Sequence, residues 1–303
     1  MKQRAVRFGR HQEMTGILAT HDQYDGSCRK VVLTWNTGIS HKMGPNRVAV
    51  ELSHTLTRIG LPVFRFDLTG RGDSLPRKGE MASTVLDVRE AMNYLQKEWG
   101  FEEFILHGNC SGAIDAHYVA QVDARVVGLS MVDTYAYRVG AYYKHYILKR
   151  LKSRAYWERL FKKVFSQQGG IDEQDAKDQF WIPFPTLDRI RADFRGFVAR
   201  KMPCLVIFTS GYDYLYNYEN QFRDMLKGVD VSDILTLEHH TEADHLYTFL
   251  DQRNRLMDSI SAWVLRNFHL AGTEQRGPLP ADEGALLTLS QPISRNSPLP
   301  VGP

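Results

Sequence analysis

Cys110 stands at the centre of Gly-Asn-Cys-Ser-Gly, at the end of the apolar run Phe104-Ile105-Leu106-His107. Gly-x-Cys-x-Gly has the spacing of a nucleophile elbow, a tight strand-to-helix turn whose central residue projects from strained backbone. Gly108 and Gly112 have a steric purpose there, because side chains two residues to either side of the turn would collide. A thiol so placed is a candidate nucleophile. It attacks as the thiolate, so it needs a base to take its proton and a carboxylate to orient that base. Behind an elbow these groups follow in the order nucleophile, acid, histidine. Asp213 follows the apolar run Leu205-Val206-Ile207-Phe208 in Ser-Gly-Tyr-Asp, and His245 lies in Glu-Ala-Asp-His-Leu before a helical stretch. Cys110, Asp213 and His245 are therefore the candidate catalytic residues, with Asp244 the second candidate for the acid. The bland alternatives are a capping or buried polar histidine and a turn aspartate.

An elbow needs a strand before it, a helix after it and a sheet to hold its partners. Residues 30–135 alternate short apolar runs with helical spacing. Val31–Trp35, Pro62–Asp67, Phe104–His107 and Val126–Val132 read as buried strands, and Pro45–Ile59, Ser83–Trp99 and Gly112–Val122 as helices between them. This β-α-β order implies an α/β class with a mostly parallel central sheet flanked by helices. Cys204–Thr209 and Ile234–Leu237 read as two further strands, with a helix over Tyr218–Lys227 between them and a closing helix over Leu246–Phe268. Ala5–Phe8 and Gly16–Thr20 read as an antiparallel pair.

The expected organisation is a core over 1–135 and 201–270, a cap over 136–200 and a tail over 271–303. From Arg138 to Lys163 there are nine Lys or Arg against the single acid Glu158, interleaved with aromatics that include Tyr142, Tyr143, Tyr146, Tyr156 and Trp157. Such a segment reads as amphipathic helices, which either simply pack their rings inward or also present a basic rim to an acidic partner. The tail holds six of the twelve prolines and no aromatic residue, a composition that cannot offset its ordering entropy.

Composition narrows the function classes. A formal net charge of +3 over 303 residues gives no global reason to expect nucleic acid. The three cysteines, Cys28, Cys110 and Cys204, are odd in number and have no paired spacing, so neither a zinc site nor a disulfide framework is expected, and no cofactor is implied. His239 and His240 have no metal-ligand spacing to other residues, and Cys204 reads as a small core residue. No stretch approaches the ~20 apolar residues of a membrane span, and no apolar signal core follows the basic first ten residues, so a cytoplasmic protein is expected.

Thr37-Gly38-Ile39-Ser40-His41, Pro45-Asn46-Arg47 and Phe66-Asp67-Leu68-Thr69-Gly70-Arg71-Gly72-Asp73-Ser74, followed by the Cys110 elbow, resemble the α/β-hydrolases of the serine aminopeptidase type. The likeness is strongest to the exosortase A system-associated hydrolases, many of which carry cysteine at the elbow, and it spans about residues 30–135 and 200–268. It implies the α/β-hydrolase fold with a helical cap insertion. It also implies an oxyanion hole from the backbone N–H groups of Ile39 and Ser111. Gly38, His41, Tyr142 and Tyr146 are candidate substrate-binding residues. Arg71-Gly72-Asp73 falls inside the family loop, so its match to an adhesion tripeptide reads as coincidence.

These readings converge on an acyl group cleaved or transferred through an acyl-cysteine. A thiolate exchanges with a thioester at nearly constant energy, whereas attack on an amide or simple ester is uphill. An acyl thioester or activated ester is therefore the expected substrate, carried by an acidic acyl carrier protein if the basic cap is a docking rim. The competing readings are a non-catalytic binding protein on a hydrolase fold and a small-molecule esterase or peptidase.

Overall fold

The computed structural model describes residues 1–77, 83–152, 184–212 and 214–269. Residues 153–183 of the expected cap and the whole expected tail lie outside them. Eight strands form one sheet: β1 (Lys2–Phe8), β2 (Met14–Thr20), β3 (Lys30–Trp35), β4 (Val63–Asp67), β5 (Glu103–Asn109), β6 (Val126–Val132), β7 (Cys204–Thr209) and β8 (Leu235–His240). Their spatial order is β1-β2-β4-β3-β5-β6-β7-β8. β1 and β2 pair antiparallel, β2 joins β4 antiparallel, and from β4 onward every pairing is parallel.

Helices α1 (Val48–Arg58), α2 (Thr84–Trp99), α3 (Ser111–Val122), α4 (Gly140–Lys152), α5 (Leu187–Ala199), α6 (Gln221–Met225) and α7 (Leu250–Asn267) connect the strands. The period-2 alternation of strand side chains divides the core into two layers. On β3, Val31 and Leu33 face the layer built by α2, α3 and α5, while Val32 faces the layer built by α1 and α7. Because helices cover both faces, all six residues of β7 are buried, which is why the strand reads as a continuous apolar run. In the second layer Leu52 and Leu56 of α1 pack with Leu256, Ile260 and Trp263 of α7. Glu51 and Arg253 bridge the same two helices at 3.0 Å.

α5 lies in the part of the sequence expected to be cap, yet it belongs to the first core layer. Ile190, Phe194 and Phe197 are buried there. Asp193 lies 3.0 Å from His117 Nε2, whose Nδ1 faces the Tyr135 hydroxyl at 3.0 Å. This buried chain ties α3 and α5 to the end of β6.

The strand order reverses at β3. The chain leaves β3 through α1 to reach β4 on one side, then returns through α2 to β5 on the other. Loops therefore diverge at the carboxyl ends of β3 and β5, where open α/β sheets form their ligand crevice. Residues 37–44 follow β3 there, and Cys110 follows β5.

Candidate active site

Cys110 is the residue between β5 and α3, with φ 51° and ψ −120°. The left-handed region costs an L-residue energy, so the turn must be held from outside. The Cys110 amide donates to Val132 O at 2.8 Å, and Cys110 O accepts from Ala113 N at 3.1 Å. A Cβ on Gly108 would lie 2.6 Å from Ala113 N and closer still to the Gly112 carbonyl, so this position admits only glycine. A Cβ on Gly112 would come within 3.1 Å of Thr37 Oγ1.

His245 sits on the loop between β8 and α7. Its Nδ1 lies 2.7 Å from Asp133 Oδ2, and the Cys110 side chain is a second hydrogen-bond partner of the ring. Asp133, fully buried at the end of β6, also accepts from Thr209 N at 2.7 Å and Thr209 Oγ1 at 2.6 Å. These contacts hold the carboxylate independently of the imidazole. The Asp133 hydrogen bond and then the Cys110 hydrogen bond raise the His245 pKa from 6.5 to about 10, against the opposing pull of burial.

Nδ1 has one hydrogen to give, and among the described residues the carboxylate that receives it is that of Asp133. Asp213 itself lies outside the described residues. The second candidate, Asp244, is committed to its own turn, accepting from Leu246 N at 2.8 Å and Thr248 N at 3.2 Å. Asp133 was legible by the rule applied to Asp213: it follows a strand and lies between nucleophile and histidine in the chain.

Several contacts fasten the histidine loop. The Ser210 amide donates to Ala243 O at 3.0 Å, Asn46 Nδ2 donates to Leu246 O at 3.0 Å, and the Tyr247 hydroxyl meets His240 Nδ1 at 3.1 Å. Gly211 lets the chain pass, since a Cβ there would be 2.9 Å from His245 Cβ. Beyond it the Tyr212 ring lies nearly parallel to the imidazole, 15° apart with centroids at 6.1 Å. No periodicity in the sequence marks Tyr212 or its neighbour Tyr214.

Ser111 begins α3, so its N–H is among the first-turn donors that have no intrahelical acceptor. The loop bearing Ile39 is tied to the elbow: Gly38 N donates to Ser111 Oγ at 3.3 Å, and Thr37 Oγ1 donates to Asn109 O at 2.9 Å. Ile39 is fully exposed at the tip. Of the other candidate substrate contacts, His41 has both ring nitrogens engaged, with Asp73 Oδ2 of the loop after β4 at 2.9 Å and Met43 N of its own loop at 3.3 Å. Tyr142 is buried and donates to Tyr214 O at 2.8 Å, and Tyr146 stacks on it at 5.8 Å.

His41, Asp67 and Asp73 are close enough together to suggest a metal site. The Lys42 ammonium already fills that position, 2.7 Å from Asp67, 2.5 Å from Asp73 and 3.0 Å from His41 Nε2. It holds the Asp73 carboxyl down at about 2, with His41 a lesser cause. The Asp-x-x-Gly-x-Gly-x-Ser string thereby braces the loop after β3: Asp67 also accepts from Lys42 N at 2.7 Å, and Ser74 Oγ donates to Asp67 O at 2.8 Å. Lys42→Met leaves the buried Asp67 carboxylate without its countercharge and is expected to destabilise the protein by about 3–5 kcal/mol in denaturant unfolding. A loss below ~1 kcal/mol would show that the cluster is not a brace.

Burial pushes the Cys204 thiol up to about 12, and burial also raises that of Cys28.

No family model matches the chain, and no curated protein matches it. Solved structures do. An α/β serine hydrolase without a lid from Xanthomonas campestris is 14% identical at a TM-score of 0.54, covering 88% of this chain and 95% of its own. An esterase from Pyrococcus furiosus is 16% identical at 0.55, covering 88% and 91%. The esterase domain of a Rhodothermus marinus protein is 17% identical at 0.53, covering 88% and 99%. These likenesses, with the eight-stranded, mostly parallel sheet flanked by helices, show that the chain has the α/β-hydrolase fold.

Proposed function

We propose that the protein is a cysteine-nucleophile hydrolase or acyltransferase acting on an acyl thioester or activated ester, with Cys110, His245 and Asp133 as its triad. The observation that carries this reading is His245 placed between the elbow thiol and a carboxylate already fixed by Thr209. A binding module with a lapsed nucleophile has no use for a base so oriented. His245 holds the Cys110 proton as an imidazolium beside the thiolate, and the thiolate attacks the acyl carbon. The Ile39 and Ser111 amides receive the oxyanion, a contribution of ~3 kcal/mol per donor where such groups have been measured. His245 then protonates the leaving group, and water or an acceptor releases the acyl group.

Exposed apolar side chains on the surrounding loops, Ile39, Met43 and Leu246, suit an apolar acyl chain. An acidic carrier protein remains the partner that the basic stretch of residues 138–163 would attract. The test is turnover of matched thioester and oxygen-ester substrates bearing the same acyl group. The reading expects the thioester to be favoured by at least ~10-fold in kcat/KM. Equal turnover of the two would replace it with a general esterase.

A further inference from the structure

The triad leaves unused the aromatic group that packs against it. Tyr212 lies flat beside the His245 imidazole, and the Tyr214 ring lies beyond it at 5.3 Å. The two rings are tilted 54° to one another. Tyr212 is buried, whereas Tyr214 is half-exposed.

The backbone of Tyr214 is clamped. Its carbonyl accepts from the Tyr142 hydroxyl at 2.8 Å and from Arg138 Nη2 at 3.2 Å, and the Arg138 guanidinium lies over the Tyr142 ring at 5.4 Å. An exposed phenol held at its main chain by two side chains and packed against a buried ring is positioned more firmly than a surface tyrosine. Burial raises its pKa first, and the Cys110 and Asp133 charges add to the rise, which keeps it protonated and places it in the field of the nucleophile.

We propose that Tyr214 contacts the substrate on its leaving-group side, donating a hydrogen bond to the departing heteroatom while His245 supplies the proton. This rests on the proposed role of Cys110. The oxyanion donors come from the β3 loop and α3, whereas Tyr214 lies on the imidazole side, where the leaving group departs and an acceptor enters. The balance is simple: the Cys110 sulfur–acyl bond forms, the acyl–leaving-group bond breaks, and the His245 proton goes to the leaving atom. Tyr214 retains its own proton throughout.

The test is Tyr214→Phe, which removes only the hydroxyl and keeps the ring and the clamped carbonyl. Single-turnover acylation is measured with two thioesters of the same acyl group, one releasing an alkyl thiol and one releasing 4-nitrothiophenol. The alkyl thiolate carries more charge as it leaves and needs the donor more. The inference expects at least a ~10-fold loss with the alkyl thioester, less than ~3-fold with the aryl one, and unchanged labelling of Cys110 by methyl methanethiosulfonate. Equal losses on both substrates, or none on either, would overturn it. If Cys110 of the unsubstituted protein takes no acyl group at all, the proposed function falls, and this inference falls with it. That outcome is distinct from normal acylation that is insensitive to Tyr214.

Discussion

Cys110→Ala is expected to lower acyl turnover by on the order of 10⁶-fold, the scale seen when a triad nucleophile is deleted, while the thermal midpoint stays nearly unchanged. Alanine carries the same Cβ into the same left-handed backbone, and the thiol contributes little to the core, since Cys110 is only partly buried. The variant therefore isolates chemistry from folding. Steady-state kinetics alongside thermal unfolding check both halves. Turnover within tenfold of the unsubstituted protein would remove Cys110 from the mechanism.

Asp133→Asn is expected to cost on the order of 10⁴-fold in kcat, because an amide presents the wrong partner to the imidazole N–H. It should also change the pH profile in a definite direction. Asp133 is the largest cause of the raised His245 pKa, so its loss moves the alkaline limb of kcat/KM down from about 10. The same shift sets the pH window of stability. A group whose folded pKa lies above its ordinary 6.5 gives stabilisation that is complete below that value and is lost as pH rises through about 10. The destabilisation by Asp133→Asn should therefore be largest near pH 6 and smaller at pH 10, leaving the part due to the lost Thr209 contacts. Asp213→Asn and Asp244→Asn should retain most of the turnover. A collapse in Asp213→Asn with little change in Asp133→Asn would reverse the assignment.

The sheet was readable because its strands are buried on both faces or switch faces every second residue, patterns that survive without knowledge of their neighbours. β3, β5 and β7 each show one of them. Helix ends were less readable, since local side-chain bonds set them. The closing helix starts at Leu250, not Leu246, because Asp244 holds the intervening turn and Tyr247 takes φ 51°. The helix expected over Tyr218–Lys227 shortens to Gln221–Met225.

Cys110 and His245 stand out in the sequence through motif and order, whereas the order rule by itself does not choose between Asp133 and Asp213. Both Asp133 and Asp213 follow core strands in the required order, and only the fold shows that β6 ends against the His245 loop. Lys42 was invisible for a different reason. Hydropathy places a lysine in water, and its burial is tolerated only because Asp67 and Asp73, 25 and 31 residues away in sequence, surround its ammonium.

The most direct test of the central claim is intact-mass analysis after brief exposure to an acyl thioester, followed by peptide mapping. The account predicts one added acyl group, located on Cys110, lost on treatment with hydroxylamine and absent from Cys110→Ala. An acyl group on Ser111 or another residue, or an adduct that persists in Cys110→Ala, would contradict it.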